Sequence, residues 1–235
     1  MASARPMSRK IGVVIAGLAG VLWGVLSVTR VLLTGEADLP TRDAPADEII
    51  SYYEGLSVDA AFVIGVGMVT IGWALLLVFI AMVADLIGLI DRDLRWVGLL
   101  VLAGATVGEG VVVTYLAVLR AGAYWATHGG LETDAYLVLH GVSAGVLWVD
   151  SILSGLWLIP LGVVIIVTRL FPTWLGWAIL ATVVGQVAGF FVPVQAIELV
   201  AGGLPYLWIL IAGALMLARP ERYVPVVADA PVAQQ

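Results

Sequence analysis

Residues 96–120, WVGLLVLAGATVGEGVVVTYLAVLR, and residues 136–169, YLVLHGVSAGVLWVDSILSGLWLIPLGVVIIVTR, decide the fold. Each run exceeds the roughly 20 apolar residues that a helix needs to cross about 30 Å of hydrocarbon. Within them stand Glu109, His140 and Asp150. A charged side chain at the bilayer centre costs between about 2.5 and 17 kcal/mol, so such residues face a bundle interior or a wet cavity and mark function. At about 1.5 Å per residue, Glu109 lies roughly 20 Å past Trp96, while His140 and Asp150 lie about 6 and 20 Å past Tyr136. An antiparallel pair of helices then stacks His140 outermost, Glu109 in the middle and Asp150 innermost.

The spacing supports the same arrangement. His140, Ser143, Leu147, Asp150, Ser151 and Ser154 fall on one helical stripe. Thr106, Glu109, Val113, Leu116 and Arg120 make a second, weaker one. Two polar stripes on adjacent helices are expected to face each other, because facing lipid would be expensive for both. The expected proton- or solute-binding residues are therefore Glu109, His140, Asp150, Ser143, Ser151 and Arg120.

Composition extends this reading to the whole chain. Of 235 residues, 62% are hydrophobic and 12% charged, against roughly 45–50% and 25% in a soluble domain. The expected fold is all-α: a polytopic helical membrane protein with six transmembrane helices. A short basic tail, 1–10, precedes spans at about 11–33, 60–84, 96–119, 136–160, 174–192 and 196–218. The outer loop, 34–59, carries a short amphipathic helix from Asp47, where Ile49, Ile50, Tyr53 and Leu56 recur at helical spacing. Pro160 is expected to kink the fourth segment or to divide membrane from cytoplasmic extension. The tail 219–235, rich in proline, valine and alanine, is expected to be disordered.

Small residues prepare close packing. Gly17, Gly20, Gly24 and Ser27 share one face of the first span, and Gly65, Gly67 and Gly72 line the second. Orientation follows from the basic residues. With both ends cytoplasmic, Arg5, Arg9, Lys10, Arg92, Arg95, Arg169, Arg219 and Arg222 lie inside, and only Arg30, Arg42 and Arg120 outside.

Other chemistries lack their residues. There is no cysteine, hence no disulfide, thiolate metal site or cysteine nucleophile. The two histidines are far apart in character, one in a polar loop and one in a span, so neither haem nor zinc is expected. The one lysine, Lys10, is in the tail and leaves no buried Schiff-base amine. No cofactor, metal or catalytic residue is expected. The net charge of −6 argues against a nucleic-acid partner. The expected partners are the lipid bilayer and either another membrane protein or a second copy of the chain.

Three stretches carry a resemblance. With Gly104–Gly110 (GATVGEG), the polar fourth span around His140 and Asp150, and Leu170–Trp177 (LFPTWLGW), the chain resembles an uncharacterised bacterial six-span family, domain of unknown function 4386, and similar actinobacterial membrane proteins. The resemblance runs from the first span to Arg219. It implies six helices and a multi-pass protein of the bacterial inner membrane, and it implies no activity. That family often has an arginine one turn before the glutamate, where this chain has Thr106.

Three functions fit these features. The first is a small transporter or channel-like protein whose Glu/His/Asp core carries protons or a small solute, carboxylates and histidine being the usual relays in membranes. The second is an accessory or structural protein whose polar core only joins helices. The third, an intramembrane enzyme acting on lipid or quinone, has the least support, since no nucleophile elbow, zinc motif or phosphate loop is present.

Overall fold

A chain in hydrocarbon has to satisfy its backbone amides and carbonyls from within, which leaves apolar segments helical. The computed structural model of this chain describes residues 5–34, 39–41, 43–55, 60–128, 132–191 and 195–224, and it is all-helical among them. The helices are α1 (Arg5–Thr34), α2 (Ala46–Gly55), α3 (Ala60–Ile90), α4 (Arg95–His128), α5 (Thr133–Thr168), α6 (Thr173–Phe191) and α7 (Gln195–Ala218). Short 3-10 turns follow α3 at Arg92–Leu94 and α7 at Pro220–Tyr223.

Four segments, Ser8–Leu33, Val63–Ile90, Arg92–Gly122 and Asp134–Thr168, are long and apolar enough to cross a membrane. Thr173–Gly189 and Gly203–Ala218 are shorter apolar stretches. The outward faces agree with that setting. Ile11, Ile15, Leu18, Leu22 and Val25 run up one side of α1 at helical spacing, and all are exposed. A soluble monomer rarely shows so continuous an apolar patch. The fold is all-helical, with four helices that could span a membrane.

The six long helices close into a ring in chain order. α1 packs on α3, α3 on α4, α4 on α5, α5 on α6 and α6 on α7, and α7 returns to α1. The closing seam is made by absent side chains. A Cβ on Gly17 would lie 2.9 Å from the Gly213 carbonyl oxygen, and one on Gly213 would lie 2.7 Å from that of Gly17. The expected small face of α1 thus divides its work, with Gly17 and Gly24 against α7 and Gly20 against Phe79 of α3. Gly67 departs from expectation: nothing lies within 4 Å of where its Cβ would be, and it faces outward.

The ring is filled rather than hollow. Trp208 of α7 meets Phe79 of α3 at 6.3 Å and Trp157 of α5 at 6.1 Å between ring centroids. A second, smaller core lies under α2, where Ile49 and Tyr53 pack on Tyr115, Leu116, Leu119 and Tyr136. Ahead of α2 the Ala44 amide donates to the Thr41 carbonyl, and the Pro45 carbonyl accepts from the amides of Glu48 and Ile49. Asp47 and Glu48 sit in the first turn, where acidic groups favour the helix dipole.

Helix ends outrun the apolar pattern. α1 begins inside the expected tail, α3 continues past Ala84 to Ile90, and α4 continues past Leu119 to His128. Backbone hydrogen bonding, not hydropathy, sets these ends. α5 runs unbroken through Pro160, held by fully buried Leu158 and Leu161 on either side. It stops at Arg169, whose left-handed φ of 55° lets its amide bond the Ile165 carbonyl. The expected disordered tail needs correction as well. Residues 220–224 turn back on the bundle, with Tyr223 buried at 5.3 Å from Phe171. Residues 225–235 lie outside the described set.

Candidate functional site

α1 is 30 residues long, about 45 Å at 1.5 Å per residue, so its apolar run does not end where hydrocarbon does. One consequence is that Arg30, four residues before its end, remains helical and turns inward. The guanidinium is buried, with 5% of the residue exposed, and its Nη2 donates to the Tyr206 hydroxyl of α7 at 3.0 Å. Tyr206 is fixed from the other side by Trp23, edge to face at 5.3 Å.

Arg30 lines a cleft between four helices. α1 gives Trp23, Ser27 and Arg30, α3 gives Met68 and Gly72, α4 gives Glu109, and α7 gives Tyr206; the cavity between them is small, about 30 Å³. Glu109 is within electrostatic reach of Arg30 on one side and of Asp150 on the other. Asp150 is held close to α4: a Cβ on Gly108 would lie 3.5 Å from its Oδ1. On its own helix the Ser154 hydroxyl lies beside Asp150, one turn on. The order of charges from the cleft inward is therefore Arg30, Glu109, Asp150.

This joins two of the expected residues and separates the others. Glu109 and Asp150 face each other across α4 and α5, as the stripes require. His140 does not join them. Its Nε2 donates to the backbone carbonyl of Thr41 at 3.2 Å, its ring meets Tyr53 edge-on at 6.4 Å, and its Nδ1 has no partner among the described residues. Ser143 lies in the same outer cluster, fully buried and facing the Tyr53 hydroxyl. His140 and Ser143 belong to the seat of α2, roughly three and two turns of α5 away from Asp150. Arg120 is exposed on α4 and is no part of the cleft, because the helix carries it outward to water past the second core. Ser151 is half-buried beside Asp150 in sequence.

Arg30 is the residue that the expected site lacked. Its signal was present in the small face of α1: the steps Gly17, Gly20, Gly24, Ser27 continue to Arg30. The cation near Glu109 comes from α1. Thr106 donates to the Leu102 carbonyl of its own helix at 2.8 Å.

Arginine stays charged in proteins, so the cleft holds a fixed cation beside two carboxyl groups in a mostly apolar frame. Among the described residues no group of three His, Cys, Asp or Glu side chains is placed to hold a metal. Fold and site together define an all-helical bundle, with four helices able to span a membrane and a buried charged cleft. No protein-family model, curated protein or solved structure matches the chain.

Proposed function

We propose that this chain is a six-span protein of the bacterial inner membrane, both termini cytoplasmic, that moves protons or a small solute through the Arg30–Glu109–Asp150 cleft. The observation that carries the reading is the buried Arg30 set across an open cleft from Glu109. One fixed cation balances one carboxylate. The second carboxyl in the same dry region needs a proton or a bound cation, which is the exchange a carrier uses.

Six spans are supported by the ring, in which α6 and α7 occupy places equal to the others. Their apolar stretches are short, and exposed Trp174 and Trp177 at the start of α6 suit an interfacial anchor. Orientation is tested with single cysteines on a background free of them. An impermeant reagent should label Asp43→Cys and leave Ser8→Cys and Asp93→Cys unlabelled in intact cells; the opposite pattern overturns the orientation.

Transport is tested in proteoliposomes carrying a pH gradient. Flux that is lost in Glu109→Gln and kept in Arg120→Ala is the expected result. A second reading is favoured by the aromatic contact of Phe79, Trp157 and Trp208, which fills the middle of the ring. Under it the chain is an accessory protein that packs with a membrane partner or a second copy, and the charged cleft holds α1, α4 and α7 in register. Absence of flux for protons and for small ions, together with a stable co-purifying membrane protein, decides for that reading.

A further inference from the structure

The seat of α2 contains polar atoms that the cleft does not use. The Tyr53 hydroxyl, His140 Nδ1 and Ser143 Oγ are all buried without a hydrogen-bond partner among the described residues. Tyr53 and Ser143 are fully buried and His140 is 4% exposed. They also converge. His140 and Ser143 are one turn apart on α5, the Tyr53 ring stands edge-on to His140 at 6.4 Å, and the Tyr53 hydroxyl faces Ser143.

The hydrogen-bonding roles are set by Thr41. A backbone carbonyl only accepts, so the Nε2 that meets it carries the proton. In the neutral tautomer compatible with that contact, Nδ1 is an acceptor. The site thus offers one ring nitrogen and two hydroxyls, the hydroxyls each able to donate and accept. Leaving such groups unpaired in a buried place is costly.

We propose that Tyr53, His140 and Ser143 form a buried site for one water molecule, which ties the outer helix α2 to α5. Water matches the inventory: it donates to Nδ1 and to one hydroxyl and accepts from the other, and two to four polar partners are what a buried water requires. Tyr136 stacks on the Tyr53 ring beside these groups, with centroids 5.9 Å apart. Gly122 of α4 closes the side, since a Cβ there would come within 3.1 Å of the Tyr53 ring. The seat of α2 is thereby polar at its centre and apolar at its rim.

The test uses the full chain in nanodiscs with nitrogen-labelled histidine. In the wild type the His140 Nδ1 resonance should lie at the position of a hydrogen-bonded acceptor and show magnetisation transfer from a long-lived water. Ser143→Ala, a mild truncation, should shift that resonance and weaken the transfer, and Tyr53→Phe should do the same. The proposal is overturned if Nδ1 resonates as an unbonded nitrogen without water transfer, or if neither variant moves it. The wild-type spectrum alone decides should a variant fail to fold.

Discussion

Arg30 and Tyr206 join the first and last of the long helices by one hydrogen bond, Nη2 to the phenolic oxygen at 3.0 Å, at the seam where the ring closes. Hydrogen bonds to charged groups contribute about 1.5–3 kcal/mol. Tyr206→Phe keeps the ring that packs on Trp23 and removes the hydroxyl that accepts from Arg30. It should lower unfolding stability in detergent by that amount, whereas Trp23→Phe should lower it without altering accessibility at residue 30. Unchanged stability in Tyr206→Phe would show that the guanidinium is held by other groups.

The same seam predicts a contrast between glycines. Gly213→Ala on α7 places a methyl against the Gly17 carbonyl. Overpacking of this kind costs about 1–3 kcal/mol. Gly67→Ala, which meets nothing within 4 Å, should instead gain up to about 1 kcal/mol from helix propensity. Unfolding midpoints of the two variants, measured side by side, should move in opposite directions.

Much of this arrangement is legible in residue spacing. Glu109 and Asp150 come together because their stripes are local to two helices joined by a short loop. The outer helix is legible because Ile49 and Tyr53 repeat within a single turn. Arg30 is not, because hydropathy read along one helix marks it as a boundary. Its inward direction depends on Tyr206 of α7, which is 176 residues away in sequence and meets α1 only through a tertiary contact. His140 is misplaced for the same reason. Its stripe points inward correctly, but the Thr41 carbonyl that accepts its hydrogen bond lies in a loop 99 residues earlier.

Tyr53 gives a pH dependence with a defined sign. Burial pushes its phenol above the usual tyrosine range, and the facing Ser143 hydroxyl offsets part of this. A folded-state value raised above the unfolded one, near 10, leaves the stabilising contribution fully present below about pH 10. It is lost as pH rises through the folded value, because the unfolded phenol ionises first. The docking of α2, followed by amide exchange over residues 47–55, should therefore hold to about pH 10 and weaken above it. In Tyr53→Phe the weakening should disappear, although the docked state starts from lower stability because the hydroxyl is lost. Alkaline weakening of equal size in both proteins would assign the effect to another group.

The last prediction concerns the cation and its nearest acid. Arg30 is buried and permanently charged, and Glu109 stands within its field. Removing one member of a buried charge pair leaves the other uncompensated and costs about 3–5 kcal/mol. Removing both is often close to neutral, because the desolvation of each charge disappears with it. Arg30→Met should therefore be strongly destabilised, and Arg30→Met with Glu109→Gln should recover most of the loss. Methionine keeps the length of the aliphatic stem, so the Trp23 and Met68 walls of the cleft stay packed. Asp150 supplies the control. It lies one helix further from Arg30 and is already held by Ser154, so Arg30→Met with Asp150→Asn should recover much less. Unfolding free energies of the wild type, the three single variants and the two doubles, in one detergent, form two cycles. Recovery in the Glu109 cycle alone supports the pairing. Equal recovery with Asp150→Asn would mean that Arg30 answers to the summed charge of the core, and no recovery in either cycle would remove Glu109 as the partner of Arg30.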